Sequence, residues 1–184
     1  LFVGSVIRRQ RQMCIRDSLA DRLGVAARNV HAHIIGEHGD SEVAVWSMAN
    51  VTGIGLETFC QRHGCDLGAH EREEIFRRTR DAAYEIIERK GATYYAVAVG
   101  LLRIVESVLR NQHSVLAVSS LVPGYYGIQD VYLSLPAVIG TRGVEMVLDL
   151  PLNDVEVEAL RRSASILRRL LDELDISETE DVAR

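Results

Sequence analysis

Residues 29–47 read NVHAHIIGEHGDSEVAVWS, and this stretch decides the fold. Asn29 to Ile35 are residues of the β type and stop at Gly36, so a strand enters a loop over residues 36–41. Glu42 to Ser47 then form a second strand. The loop holds His38 between Gly36 and Gly39, where glycines allow a sharp turn that leaves an imidazole facing a ligand. An imidazole titrates near neutrality and is the usual proton donor and acceptor for a hydroxyl or carbonyl. An exposed loop histidine with no chemistry is the plainer alternative.

Upstream, LADRLGV from Leu19 reads as the end of a helix stopped by Gly24. The first eighteen residues are atypical: four Arg and two Gln, with no hydrophobic period beyond Ile7, so no regular structure is expected there. Downstream, Ile75, Thr79, Ala82, Ala83, Ile86 and Ile87 make the stripe of an amphipathic helix over 71–90 that ends at Gly91. A second helix, 93–110, is apolar around Ala96 to Leu102 and should lie deep in the core. Strands follow over 113–122 and around Val131 to Leu135, with Pro123-Gly124 as a turn between them. Thr141-Arg142-Gly143 is the hairpin turn before a last strand over 144–150. Asn153 and Glu156 make a capping box that opens a helix carrying Leu160, Ala164, Leu167, Leu171 and Leu174. Residues 177–184 are an acidic, solvated tail. Helix, strands, two helices, antiparallel strands and a terminal helix make an α+β order with no alternating βαβ array.

The composition agrees with a globular domain: 184 residues, 47% hydrophobic and 26% charged. A net charge of −5 gives nucleic acid no general attraction. No apolar run spans a membrane and no signal-peptide pattern is present, so the chain reads as soluble and cytoplasmic. Leu1 in place of Met suggests a fragment or processed product. Cys14, Cys60 and Cys65 are too few and too irregular for a disulfide framework.

Other motifs are weak. Gly53 and Gly55 begin a G-x-G, but Thr58 stands at the third glycine position and no βαβ unit surrounds it. A dinucleotide, if used, is expected to bind outside this chain. Cys60, His63, Cys65 and His70 fit none of the usual zinc spacings and read as ordinary cysteines beside surface histidines; no metal is expected. His31 and His33 share a strand face, which alone makes no site.

NVHAHIIGEHGDSEVAVWSMANVTGI (29–54) resembles the catalytic-histidine region of the lactate/malate dehydrogenase family, and of the bacterial L-lactate dehydrogenases in particular. The resemblance continues through KGATYYAVAVGLLRIVESVLRN (90–111), SVLAVSSLVPGYYGIQDVYLSLPAVIG (114–140) and the leucine-rich last helix, covering residues 19–175. It implies the C-terminal, substrate-binding half of a two-part enzyme whose Rossmann half, which holds NAD, is absent here. His38 would exchange a proton with lactate or pyruvate, and Thr93 would contact the substrate. A malate dehydrogenase type, or a non-catalytic assembly or effector-binding module, is the alternative.

The family's LD-x-A-R-F-R helix start supplies an Asp that orients the histidine and an Arg that grips the substrate carboxylate. Counting back from Leu19 puts Arg11 and Cys14 at those places. Arg11 would repel an imidazolium, and Cys14 has no fork of donors for a carboxylate. Residues 1–18 therefore read as a foreign segment, and the chain is expected to be inactive alone. Bacterial members are often activated by fructose 1,6-bisphosphate, held between subunits of a homotetramer by an Arg and a His fifteen residues apart. Arg16 and His31 stand at that spacing.

Overall fold

The computed structural model describes residues 2–91 and 94–173. Thr93 and the acidic tail lie outside the described residues, as does Leu174. The described chain begins with α1 (Phe2–Leu23), followed by the strands β1 (Val30–Ile35), β2 (Val43–Val51) and β3 (Ile54–Gly55). Three helices come next, α2 (Leu56–His63), α3 (Ala69–Lys90) and α4 (Tyr94–Leu109). Then come β4 (Ser114–Leu121), β5 (Tyr132–Gly140), β6 (Gly143–Val147) and the final helix α5 (Asp154–Glu173). The strands make two antiparallel three-stranded sheets, β1-β2-β3 and β4-β5-β6. The two sheets are stitched together where Gly36 and Ser134 exchange backbone hydrogen bonds of 3.0 Å. The α+β expectation holds.

Two expectations fail. Residues 2–18 are helical, part of α1, although no hydrophobic period was visible there. The buried stripe of α1 is Arg11, Ile15 and Leu19, at i, i+4 and i+8, with an arginine in its first place. A polar residue at a core position hid the period.

The second failure is α4, which was expected deep in the core. Only its Ile104 side, with Val97 and Val108, packs on Val118, Ala137 and Ile139 of the second sheet. Tyr95, Val99, Leu102 and Leu109 are exposed, Leu109 by 78%. α4 lies against α1 as well as the sheet, and the remaining side, which carries these residues, is left uncovered within this chain.

The core has two larger centres. Ile15 and Leu19 of α1 meet Val30, Ala32 and Ile34 of β1, with Leu56 of α2 and Ile75 of α3. Leu160 and Ala164 of α5 meet Val43 and Val45 of β2 and Leu133 and Leu135 of β5. The loop from β1 to β2 runs between these centres, and it is the loop that carries His38.

Candidate active site

The residues from Gly36 to Ser41 are fastened by three elements. β5 holds the entrance through the Gly36 and Ser134 backbone pair. Gly36 stands at φ +96°, and a Cβ there would lie 2.8 Å from Ser163 Oγ, so both conformation and space require glycine. From α5, the fully buried Ser163 hydroxyl accepts the Glu37 N–H at 2.7 Å and lies 3.1 Å from Ser41 Oγ. Ser41 Oγ also donates to the Glu37 carboxylate, which closes the loop on itself. From α1, Arg11 Nη1 donates to Gly39 O at 3.2 Å and pairs with Glu42 at 2.6 Å.

His38 is half-buried in this frame. Fixing the loop from three sides holds the backbone that carries the imidazole, and a general acid or base needs a held position. The expected repulsion between Arg11 and a protonated His38 has a counterweight. The Glu42 carboxylate, fully buried, stands directly against the guanidinium and neutralises it. Cys14 lies one turn further along α1, half-buried, and its thiol is pushed up by burial and by the nearby Asp17. It offers no cation for a carboxylate.

Arg16 and His31 both lie near His33. Arg16 donates Nη2 to Ala27 O at 3.2 Å, at the chain turn leading into β1, while His31 is exposed on that strand. His33, two residues on, has its pKa lowered, first by burial and then by the positive charges of His31 and Arg16. The position of Thr93 lies outside the described residues.

Gly53 lies in the turn between the antiparallel strands β2 and β3, and Gly55 ends β3. A dinucleotide fingerprint needs a strand, a glycine turn and a helix within a parallel βαβ unit, so this hairpin does not suit a pyrophosphate. This segment offers no dinucleotide site. Cys60, His63, Cys65 and His70 form no metal-ligand cluster among the described residues. The reading of two ordinary cysteines is corrected: Cys60 and Cys65 are joined in a disulfide. The helix end that brings them together comes from backbone geometry, which cysteine spacing does not reveal.

Sequence reasoning missed Ser163 and Glu42. Ser163 sits 126 residues from its partner Glu37, and a small polar residue beside Ala164 in a helix carries no distinguishing signal. Glu42 reads as an ordinary strand-start residue.

Residues 7–176 match the family model for the lactate/malate dehydrogenase alpha/beta C-terminal domain. An L-lactate dehydrogenase of Acetivibrio thermocellus is 50% identical over 159 residues, which are 86% of this chain and 50% of that protein. The L-lactate dehydrogenase of Nitratidesulfovibrio vulgaris is 55% identical over 152 residues, 83% of this chain and 49% of that protein. Among solved structures, the ligand-bound minor L-lactate dehydrogenase of Enterococcus mundtii superposes with a TM-score of 0.85 at 33% identity, covering 96% of this chain and 55% of that one. A lactate dehydrogenase from a Medee basin deep-sea metagenome gives 0.84 at 40% identity, covering 90% and 52%. This chain thus spans about half the length of the curated relatives it matches. With residues 7–176 matching the family model and its fold superposing on those solved structures, the chain belongs to the lactate/malate dehydrogenase family, as its C-terminal domain.

Proposed function

We propose that this chain is the substrate-side half of an NAD-dependent L-lactate dehydrogenase, interconverting L-lactate and pyruvate when joined to a nucleotide-binding half. NAD, bound by that other half, would supply the hydride acceptor or donor. His38 takes the proton of the lactate hydroxyl, and returns it to the pyruvate carbonyl oxygen in the reverse direction. Thr93 contacts the substrate, and Arg16 with His31 receives a phosphate of fructose 1,6-bisphosphate between subunits of a homotetramer. The single observation that carries the reading is the loop of His38, held from β5, α5 and α1 in a fold whose relatives are named L-lactate dehydrogenases. The exposed apolar side of α4 supports it too, because a half-enzyme leaves such a side uncovered.

Arg11 and Cys14 supply neither the carboxylate that steadies an imidazolium nor the fork that grips a substrate carboxylate, so this helix start lacks the family's functional pair although the family match begins at residue 7. The 184-residue chain is then inactive alone. The test is a chimera in which the N-terminal half of the Nitratidesulfovibrio vulgaris enzyme, through its own helix start, precedes residues 19–176. Pyruvate-dependent oxidation of NADH is expected, and His38→Ala should lower it by about 10²–10⁴-fold. A folded chimera that leaves pyruvate untouched, or turns it over equally well without His38, overturns the reading.

A further inference from the structure

At the end of α2 the backbone itself brings two thiols together. Gly64 follows the helix at φ +67°, and both its N–H and that of Cys65 turn back to Cys60 O, the latter at 3.2 Å. This is a helix stop closed through a left-handed glycine. It leaves the Cα atoms of Cys60 and Cys65 4.5 Å apart, inside the span of a disulfide, without any movement of the chain. Both cysteines are half-buried while Arg62 and His63 beside them are exposed, so a small reagent has access from solvent. Cys14 differs: it lies on α1 and burial pushes its thiol up, which makes it the poorer nucleophile.

The element fastened here also walls a cavity. Leu56, Glu57 and Thr58 of α2 face Arg72 of α3 and Trp46 and Ser47 of β2 around a space of about 420 Å³. Glu57 meets Arg72 at 3.8 Å from the α3 side. Between the bond and α3 only residues 66–68 intervene.

We propose that Cys60 and Cys65 are a reversible redox-modification site, closed and opened by exchange with a low-molecular-weight disulfide and its thiol, such as glutathione. In closing, one cysteine thiolate attacks the reagent disulfide, breaking its S–S bond and releasing one reagent thiolate, which takes up a proton. The second cysteine then loses its proton to solvent and attacks the protein sulfur of the mixed disulfide, expelling the second reagent thiol. Two cysteine thiols are oxidised and one disulfide is reduced to two thiols. The reverse exchange opens the bond and loosens the end of α2.

The test equilibrates the full 184-residue chain with a graded series of reduced to oxidised glutathione, then quenches with acid, unfolds and alkylates with N-ethylmaleimide before weighing. One label, mapped to Cys14, is expected at the oxidising end and three at the reducing end, with the crossover inside the series. Three labels throughout, a bond that survives at the reducing end, a bond to Cys14, or a persistent glutathione adduct would each overturn the proposal. Amide exchange reads the consequence: oxidation should slow the last turn of α2 by about tenfold. In Cys65→Ser, which keeps the helix stop, exchange should ignore the glutathione ratio. A response of α2 that persists in this variant also overturns the proposal.

Discussion

Arg11 is a charged residue in a core position, and its energetic meaning depends on Glu42. Both side chains are removed from water, and the 2.6 Å pair is their mutual compensation. Breaking a buried pair strands the surviving charge, whereas replacing both partners with apolar groups of similar size is close to neutral. Arg11→Ala should therefore lower the unfolding free energy by about 3–5 kcal/mol, while Arg11→Met with Glu42→Met loses far less. Urea unfolding of the two variants decides this, and equal losses would sink the argument. His33 carries a different signature. Its folded pKa lies below the ordinary 6.5 because of burial and the nearby charges, so the unfolded chain binds more protons in that window. The stability is present above about pH 6.5 and is lost as pH falls from there towards the lowered folded value. His33→Gln should flatten that acid limb, which pH-dependent thermal melts would reveal. The loop of His38 was legible at this scale because a strand running into two glycines marks a turn. The residues that hold the loop were not, since Arg11 looks like surface and Ser163 like helix filler.

Helix α5 illustrates what a local motif tells and what it leaves out. Asn153 and Glu156 make the reciprocal cap read from their spacing: Glu156 N–H donates to Asn153 Oδ1 at 2.9 Å, and Asn153 N–H to Glu156 Oε2 at 3.2 Å. The same carboxylate also accepts the backbone N–H of Ser47 at 2.9 Å and the Ser47 hydroxyl. The cap is thus also the tie between α5 and β2, with Glu156 buried. Losing an ordinary cap costs about 1 kcal/mol, and bonds to a charged acceptor add about 1.5–3 kcal/mol. Glu156→Ala should accordingly cost about 2–4 kcal/mol, against about 1 kcal/mol for Asn153→Ala. Equal costs, measured in denaturant, would mean that the Ser47 contact contributes nothing. Three-residue spacing reveals a cap, while a partner 109 residues away is set by the register of β2 against the core. α1 has the same lesson in reverse, because a buried arginine erased a period that the packed helix in fact obeys.

For the whole molecule, the deciding property is surface that this chain exposes and does not use. Tyr95, Val99, Leu102, Val105 and Leu109 run along α4, while Val144 and Met146 stand exposed on β6. A soluble monomer rarely shows contiguous apolar area beyond a few hundred Å². No helix among the described residues is long and apolar enough to cross a membrane, so a lipid-spanning role does not account for α4. The sequence pattern placed α4 in a core, and in composition it is a core helix. What the pattern lacks is the identity of the covering surface, because periodicity records burial and not the partner. The isolated chain should therefore bind the apolar dye ANS in its native state, and should self-associate as its concentration rises. Leu102→Lys with Leu109→Lys should weaken both effects without lowering the melting temperature by more than about 2 °C, since these side chains are already in water and lose no packing. Dye titration and sedimentation velocity check the outcome. If the double variant unfolds instead, the side of α4 bearing these leucines packs within the chain, and a half-enzyme with an uncovered face is the wrong description of this molecule.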